Sequence, residues 1–81
     1  MKNITNINTK EFLEKFNKEY KFLYENDDNV AGYDEALTFG DKFLENPKNK
    51  NFVAEFVKYR GDFISSDREV VAFIFALSDY L

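Results

Sequence analysis

Carboxylates, hydroxyls and amines are the side chains through which this chain could do chemistry, because its 81 residues include no histidine and no cysteine. Nucleophilic catalysis of the usual kind needs a base that accepts a proton near neutral pH beside the nucleophile, and the common ones are missing. Ser65, Ser66 and Ser78 therefore read as caps and surface hydroxyls. The paired acids Asp27-Asp28 and Asp34-Glu35 stand in polar segments, where water solvates them and neither pair is set up as a proton donor. Asp27 to Gly32 opens like an EF-hand calcium loop, with acidic or amide residues at alternate positions ahead of a glycine. The fifth position of such a loop falls on Ala31 and its twelfth on Thr38, so a ligand and the bidentate glutamate are both lacking. Arg60-Gly61-Asp62 matches the integrin-binding tripeptide, yet Gly61 has a sufficient role as a helix stop. No glycine-rich phosphate loop is present and the basic residues are scattered among acids, which argues against direct binding of nucleotides or nucleic acid. The expectation is a protein without catalysis, cofactor or metal.

Two features remain after this screening, and both concern surfaces. The first is the placement of charge. Residues 25–45 hold seven acids (Glu25, Asp27, Asp28, Asp34, Glu35, Asp41 and Glu45) and one base, Lys42, a net of six negative charges, while the rest of the chain has eight acids and ten bases. At about 100° per helical residue, Asp34, Asp41 and Glu45 share one narrow sector. Such a sector serves either solubility or the steering of a basic partner surface. The second feature is aromatic residues off the apolar stripes. Phe22 points nearly opposite the stripe of its helix, Phe39 lies well off the next, and Phe75 sits on a flank of the last. These either lie under other helices or mark an interface with a partner or a second copy.

The elements that must position these residues read as helices. Asn8-Thr9-Lys10-Glu11 has the form of a capping box, with Ile7 and Phe12 in the staple positions, and Phe12, Leu13, Phe16, Tyr20 and Leu23 form a stripe at helical spacing. The first helix is predicted over 8–25. A second is predicted over 29–45, with Val30, Tyr33, Leu37, Gly40 and Leu44 inward and Gly40 marking close approach of a neighbouring helix. Pro47 stops it at or before Asn46. After a polar loop, Phe52, Val53, Phe56 and Val57 mark a third helix over 51–60, ended by Gly61. Ser66-Asp67-Arg68-Glu69 is a strict capping box and opens a fourth over 66–80. The uninterrupted apolar run from Val70 to Leu77 suits a central helix, and the alternative is an α+β fold with 51–59 and 70–77 as strands.

An all-α bundle of three to four short amphipathic helices in one domain over 1–81, with 1–6 the least tied segment, is therefore expected. A chain this short needs dense packing or cross-links, and ten phenylalanines with five tyrosines supply the former. The polar start, the absence of a long apolar run and the lack of cysteine fit a cytoplasmic protein. Abundant Lys, Asn, Phe, Ile and Tyr fit AT-rich codons of a bacterium, phage or plasmid.

The helix lengths, the acidity and the Thr38 to Pro47 helix end resemble, in architecture, the four-helix immunity proteins that neutralise bacterial nuclease toxins. The resemblance implies a binding helix at Phe52-Val53-Ala54-Glu55-Phe56, where those proteins carry a tyrosine pair that this chain lacks. In size and charge the chain is also similar to small acidic phage proteins, anti-CRISPR and anti-restriction proteins among them, which imitate nucleic acid. The functional expectation is an inhibitor that occludes a basic, nucleic-acid-binding surface of a target protein such as a nuclease, through the 25–45 acids with Phe39 as an anchor. The alternative is a small homodimeric interaction module, with Phe22 and Phe75 in self-association.

Overall fold

A computed structural model describes residues 7–80. Its elements are α1 (Thr9–Glu25), α2 (Tyr33–Glu45), a 3-10 turn (Pro47–Asn49), α3 (Lys50–Arg60), α4 (Asp67–Leu77) and a closing 3-10 turn (Ser78–Tyr80). The fold is all-α, a bundle of short helices, and the described residues contain no strand. The strand alternative for 51–59 and 70–77 is therefore incorrect. A capping box starts the second of these segments: in α4 the Ser66 hydroxyl accepts from the Glu69 amide at 3.1 Å, and the Glu69 carboxylate accepts from the Ser66 amide at 3.0 Å, whereas α3 has no side-chain cap and continues directly from the 3-10 turn before it.

The N-terminus of α1 is capped by Asn8, whose Oδ1 accepts from the Glu11 amide at 3.0 Å. The reciprocal half of the expected capping box is not formed, since Glu11 instead receives the Tyr80 hydroxyl at 3.3 Å. Phe12, Phe16 and Leu23 of the expected stripe are buried, and Ile7, Leu13 and Tyr20 pack beside them.

The largest departure from expectation is the start of α2, at Tyr33 and not near Asn29. Asp27 and Asp28 have φ of 51° and 61°, and Gly32 has φ of 82°, so three residues leave the right-handed helical region. Aspartate tolerates this left-handed region better than most residues, and glycine enters it without cost. The chain reverses there, with the Asp28 amide donating to the Leu23 carbonyl at 2.9 Å and the Asn26 side chain to the Phe22 carbonyl at 2.8 Å. Glycine also serves as expected at the far end of α3, where Gly61 with φ of 82° donates back to the Val57 carbonyl at 2.8 Å. The polar segment after Pro47 is a 3-10 turn, opened by the Asn46 side chain accepting from the Lys48 amide at 3.0 Å. The fourth helix tightens into 3-10 geometry at Ser78, short of the expected continuous helix to 80.

α4 is the central element. Glu69, Val70, Val71, Ala72, Phe73, Ile74, Ala76 and Leu77 are all buried, which leaves the helix no exposed face apart from its ends. It packs most extensively on α1 and next on α2. α3 stands farther off and reaches α4 through rings: Phe56 and Phe52 lie 5.2 and 5.9 Å from Phe73, both edge to face. Phe12 of α1 completes the cluster at 5.0 Å from Phe73 and 5.4 Å from Phe56. Edge-to-face pairs add about 0.5–1.5 kcal/mol each beyond the area they bury.

α2 approaches α4 closely because Gly40 faces it. A Cβ placed on Gly40 would collide with Val70 Cγ1 and come within 3.0 Å of Ile74 Cγ1. Neither neighbour can retreat readily, since β-branched side chains are held to one rotamer in a helix. Gly40→Ala should therefore lower stability by about 1–2 kcal/mol in urea denaturation, even though alanine favours helix by about 1 kcal/mol. Combining it with Val70→Ala should cost less than the two single losses added together, and strict additivity would show that no collision exists.

Candidate protein-binding surface

The seven acids of the 25–45 segment fall in four settings. Asp34, Asp41 and Glu45 are exposed along the outer face of α2, opposite the side that carries Gly40 and Ala36 into the core. Asp34 and Glu35 also lie in the first turn of α2, where the amide ends of the helix favour negative charge. Glu25 and Asp27 are exposed at the α1–α2 reversal. Asp28 is engaged within the chain: Arg68 of α4 donates to it twice, from Nε at 2.8 Å and from Nη2 at 3.1 Å. The Arg68 guanidinium also lies 5.1 Å from the Tyr24 ring and 5.9 Å from the Tyr20 ring. This clamp ties the α1–α2 reversal to α4 across 40 residues of sequence. The Asp28 bonds, foremost among several causes, raise the Arg68 pKa further above its already high value.

Tyr33 marks where the acids of three elements converge. Partial burial raises its hydroxyl pKa, and the carboxylates of Asp28, Asp67 and Asp34 raise it further, with Arg68 opposing. Asp67, exposed at the first turn of α4, is thus brought near the start of α2. Nothing in the linear charge count places it there, since it is 22 residues beyond Glu45.

The aromatics separate in a way that helical spacing alone leaves open. Phe22 and Phe39 are 46% and 47% exposed, whereas Phe75 is half-buried and packs on the core. Phe39 stacks on Phe43, with ring centroids 6.2 Å apart. At 100° per residue it lies more than about 100° around α2 from Asp34, Asp41 and Glu45, nearer to Glu35 and Lys42. It therefore lies across the helix from the acidic sector and does not join that face. Tyr24, Tyr59 and Phe63 are exposed as well, and stripe analysis overlooks them. Phe63 was detectable as an aromatic between a helix stop and a helix cap, where no helical face exists to bury it.

A partly buried ion pair closes the α3–α4 corner. Arg60 Nη2 donates to Glu69 Oε2 at 2.6 Å, and its Nη1 donates to the Phe63 carbonyl at 3.0 Å. Its guanidinium lies 4.8 Å from the Phe16 ring. The second Glu69 oxygen accepts from the Ser66 amide at 3.0 Å, from the Ser66 hydroxyl at 2.9 Å, and from the Ser65 amide and hydroxyl at 3.3 and 3.2 Å. Arg60 and Asp62 thus serve this corner: the Asp62 carboxylate accepts from the Phe63 amide at 2.8 Å.

The described residues gather no group of three or more acids suited to a metal ion, and no helix among them is long and apolar enough to cross a membrane. Comparison of the chain with protein-family models, with curated proteins and with solved structures finds no match.

Burial raises the Glu69 pKa, but the bonds from Arg60, Ser66 and Ser65 outweigh it and bring the carboxyl from 4.5 down to about 2. The unfolded chain therefore binds this proton more readily than the folded one. The resulting stability, on the order of 3 kcal/mol, is full above the unfolded pKa and lost as pH falls through the folded value. Glu69→Gln should lower stability at neutral pH and flatten the loss between about pH 5 and pH 2 in acid titrations followed by circular dichroism. A variant with an unchanged acid profile would remove Glu69 from that role.

Proposed function

We propose that the chain is a non-enzymatic, protein-binding antagonist, encoded by a bacterium or its phage and acting in the cytoplasm. It uses the acidic outer face of α2 to occlude a basic, nucleic-acid-binding surface of a target protein such as a nuclease. The observation that carries this reading is the joint exposure of Asp34, Asp41 and Glu45 on one helix face. Carboxylates gathered on one helix face offer a basic groove the sign of charge that a phosphate backbone would. Glu25 and Asp27 add charge at the α1–α2 reversal, Glu35 adds it in the first turn of α2, and Asp28 holds the reversal in shape through Arg68, while Phe39 could anchor a partner only if that partner also wraps around α2. Binding alone blocks the target, so no turnover is required. In this respect the mode of action is that of anti-CRISPR, anti-restriction and immunity proteins.

The competing reading is a homodimeric interaction module. It draws on Phe22 and Phe39, both close to half exposed, while the packing of Phe75 on the core leaves that ring less to offer.

The antagonist reading is tested by capturing targets from a bacterial lysate with the wild-type protein and with an Asp34→Lys, Asp41→Lys, Glu45→Lys variant. All three positions are exposed, so the variant should keep the wild-type helical circular dichroism. A nucleic-acid-binding protein should be captured by the wild type, lose at least about tenfold in affinity for the variant, and be displaced from the wild type by added DNA or RNA. Equal affinity for both proteins would overturn the reading. A monomer–dimer equilibrium in sedimentation, abolished by Phe22→Ser and untouched by the lysines, would favour the homodimer.

A further inference from the structure

On the side of the molecule formed by α3, the sign of the surface is reversed. Leu44 at the end of α2, Val53, Ala54 and Val57 of α3, and Phe63 from the α3–α4 corner enclose an apolar groove of about 370 Å³. The charged residues lining it are Lys50 and Lys58, both exposed. Among the described residues no carboxylate lies within ion-pair distance of either lysine. Lys58 also borders a neighbouring polar depression that it shares with Asn51, Ala54 and Glu55, without pairing with Glu55.

Phe63 gives the groove a fixed wall. It is 74% exposed, more than any other large apolar side chain of the described residues, yet its backbone is held on both sides. Its amide donates to Asp62 at 2.8 Å, and its carbonyl accepts from Arg60, which is itself bound to the buried Glu69. The backbone that carries this exposed aromatic is thus already ordered, which lowers the cost of covering the ring.

The lysines decide what covers it. In the symmetric pairing of two α3 faces, a twofold axis through Ala54 would set Lys50 of each copy opposite Lys58 of the other, with like charges at the rim of an apolar contact. Carboxylates at the same two places would satisfy both rims. We propose that this groove is a second docking site, for a short acidic segment of another protein whose apolar side chains enter between Val53, Val57 and Phe63 while flanking carboxylates pair with Lys50 and Lys58. The site uses none of the acids assigned to antagonism, so the chain presents two contact faces of opposite charge.

Selection of random peptides displayed on phage against the immobilised wild-type protein tests the assignment. Enriched peptides should combine aromatic or aliphatic anchors with Asp or Glu, and should lose at least about tenfold in affinity for a Lys50→Glu, Lys58→Glu variant. They should lose as much for Phe63→Ser and bind the Asp34→Lys, Asp41→Lys, Glu45→Lys variant as they bind wild type. Amide chemical shifts on adding one such peptide should change around Val53 to Lys58 and Phe63. The proposal is overturned by an absence of enrichment, by peptides without acidic residues, or by equal affinity for the lysine variant. It is overturned equally by self-association of the protein that such a peptide blocks, which would make a second copy the occupant.

Discussion

α4 has no polar side, and the rest of the fold follows from that. A helix buried all round must be covered all round, and among the described residues the cover comes from the other three helices and the turns between them. Each large side chain of α4 removed from water contributes about 1.5–3 kcal/mol, so leaving one flank open would forfeit much of a small domain's stability. The three covering helices meet this demand by different means. α1 lays a broad stripe of Phe12, Phe16 and Leu23 along it, α2 comes close because Gly40 has no side chain to hold it away, and α3 fills a wider gap with phenylalanine rings.

Polar groups at the N-terminus of α4 set the relative positions of those covers. Glu69 is buried, and a buried carboxylate is tolerated only when its lone pairs are satisfied. Arg60, Ser65 and Ser66 satisfy them, which docks the end of α3 against the start of α4. One residue earlier, Arg68 reaches the other way to Asp28 and docks the α1–α2 reversal. Adjacent residues of one capping box thus fasten two separate connections. A pair of this kind adds little net stability over an apolar substitute, but breaking it by removing one partner is costly, and so it selects one arrangement of helices over others.

The same two contacts shape the outer surface. They engage Arg60, Arg68, Asp28 and Glu69 with one another, and among the described residues no ion pair forms on the outer carboxylates of α2 or on the lysines beside the α3 groove. The separation of charge along the sequence thereby becomes a separation between faces of the molecule. Two exposed aromatics stand in different settings: Phe39 rests against Phe43 on α2, and Phe63 sits on a corner whose backbone is held by Arg60 and Asp62.

The helices themselves were determined by the sequence alone. Caps, stops and stripes act within a few residues, so Asn8, Pro47, Gly61 and the Ser66 box mark boundaries without reference to anything distant. Gly40 in an apolar stripe likewise announces a close neighbour, although not that the neighbour is α4 at Val70. The start of α2 was misplaced because the left-handed geometry of Asp27 and Asp28 depends partly on Arg68, which holds the second of them from 40 residues away. Tertiary structure alone decided which acids are free, which rings are covered and where lysines meet apolar surface. Spacing along one helix gives the direction of a side chain, but whether that direction leads to water or to another helix is set by residues remote in sequence.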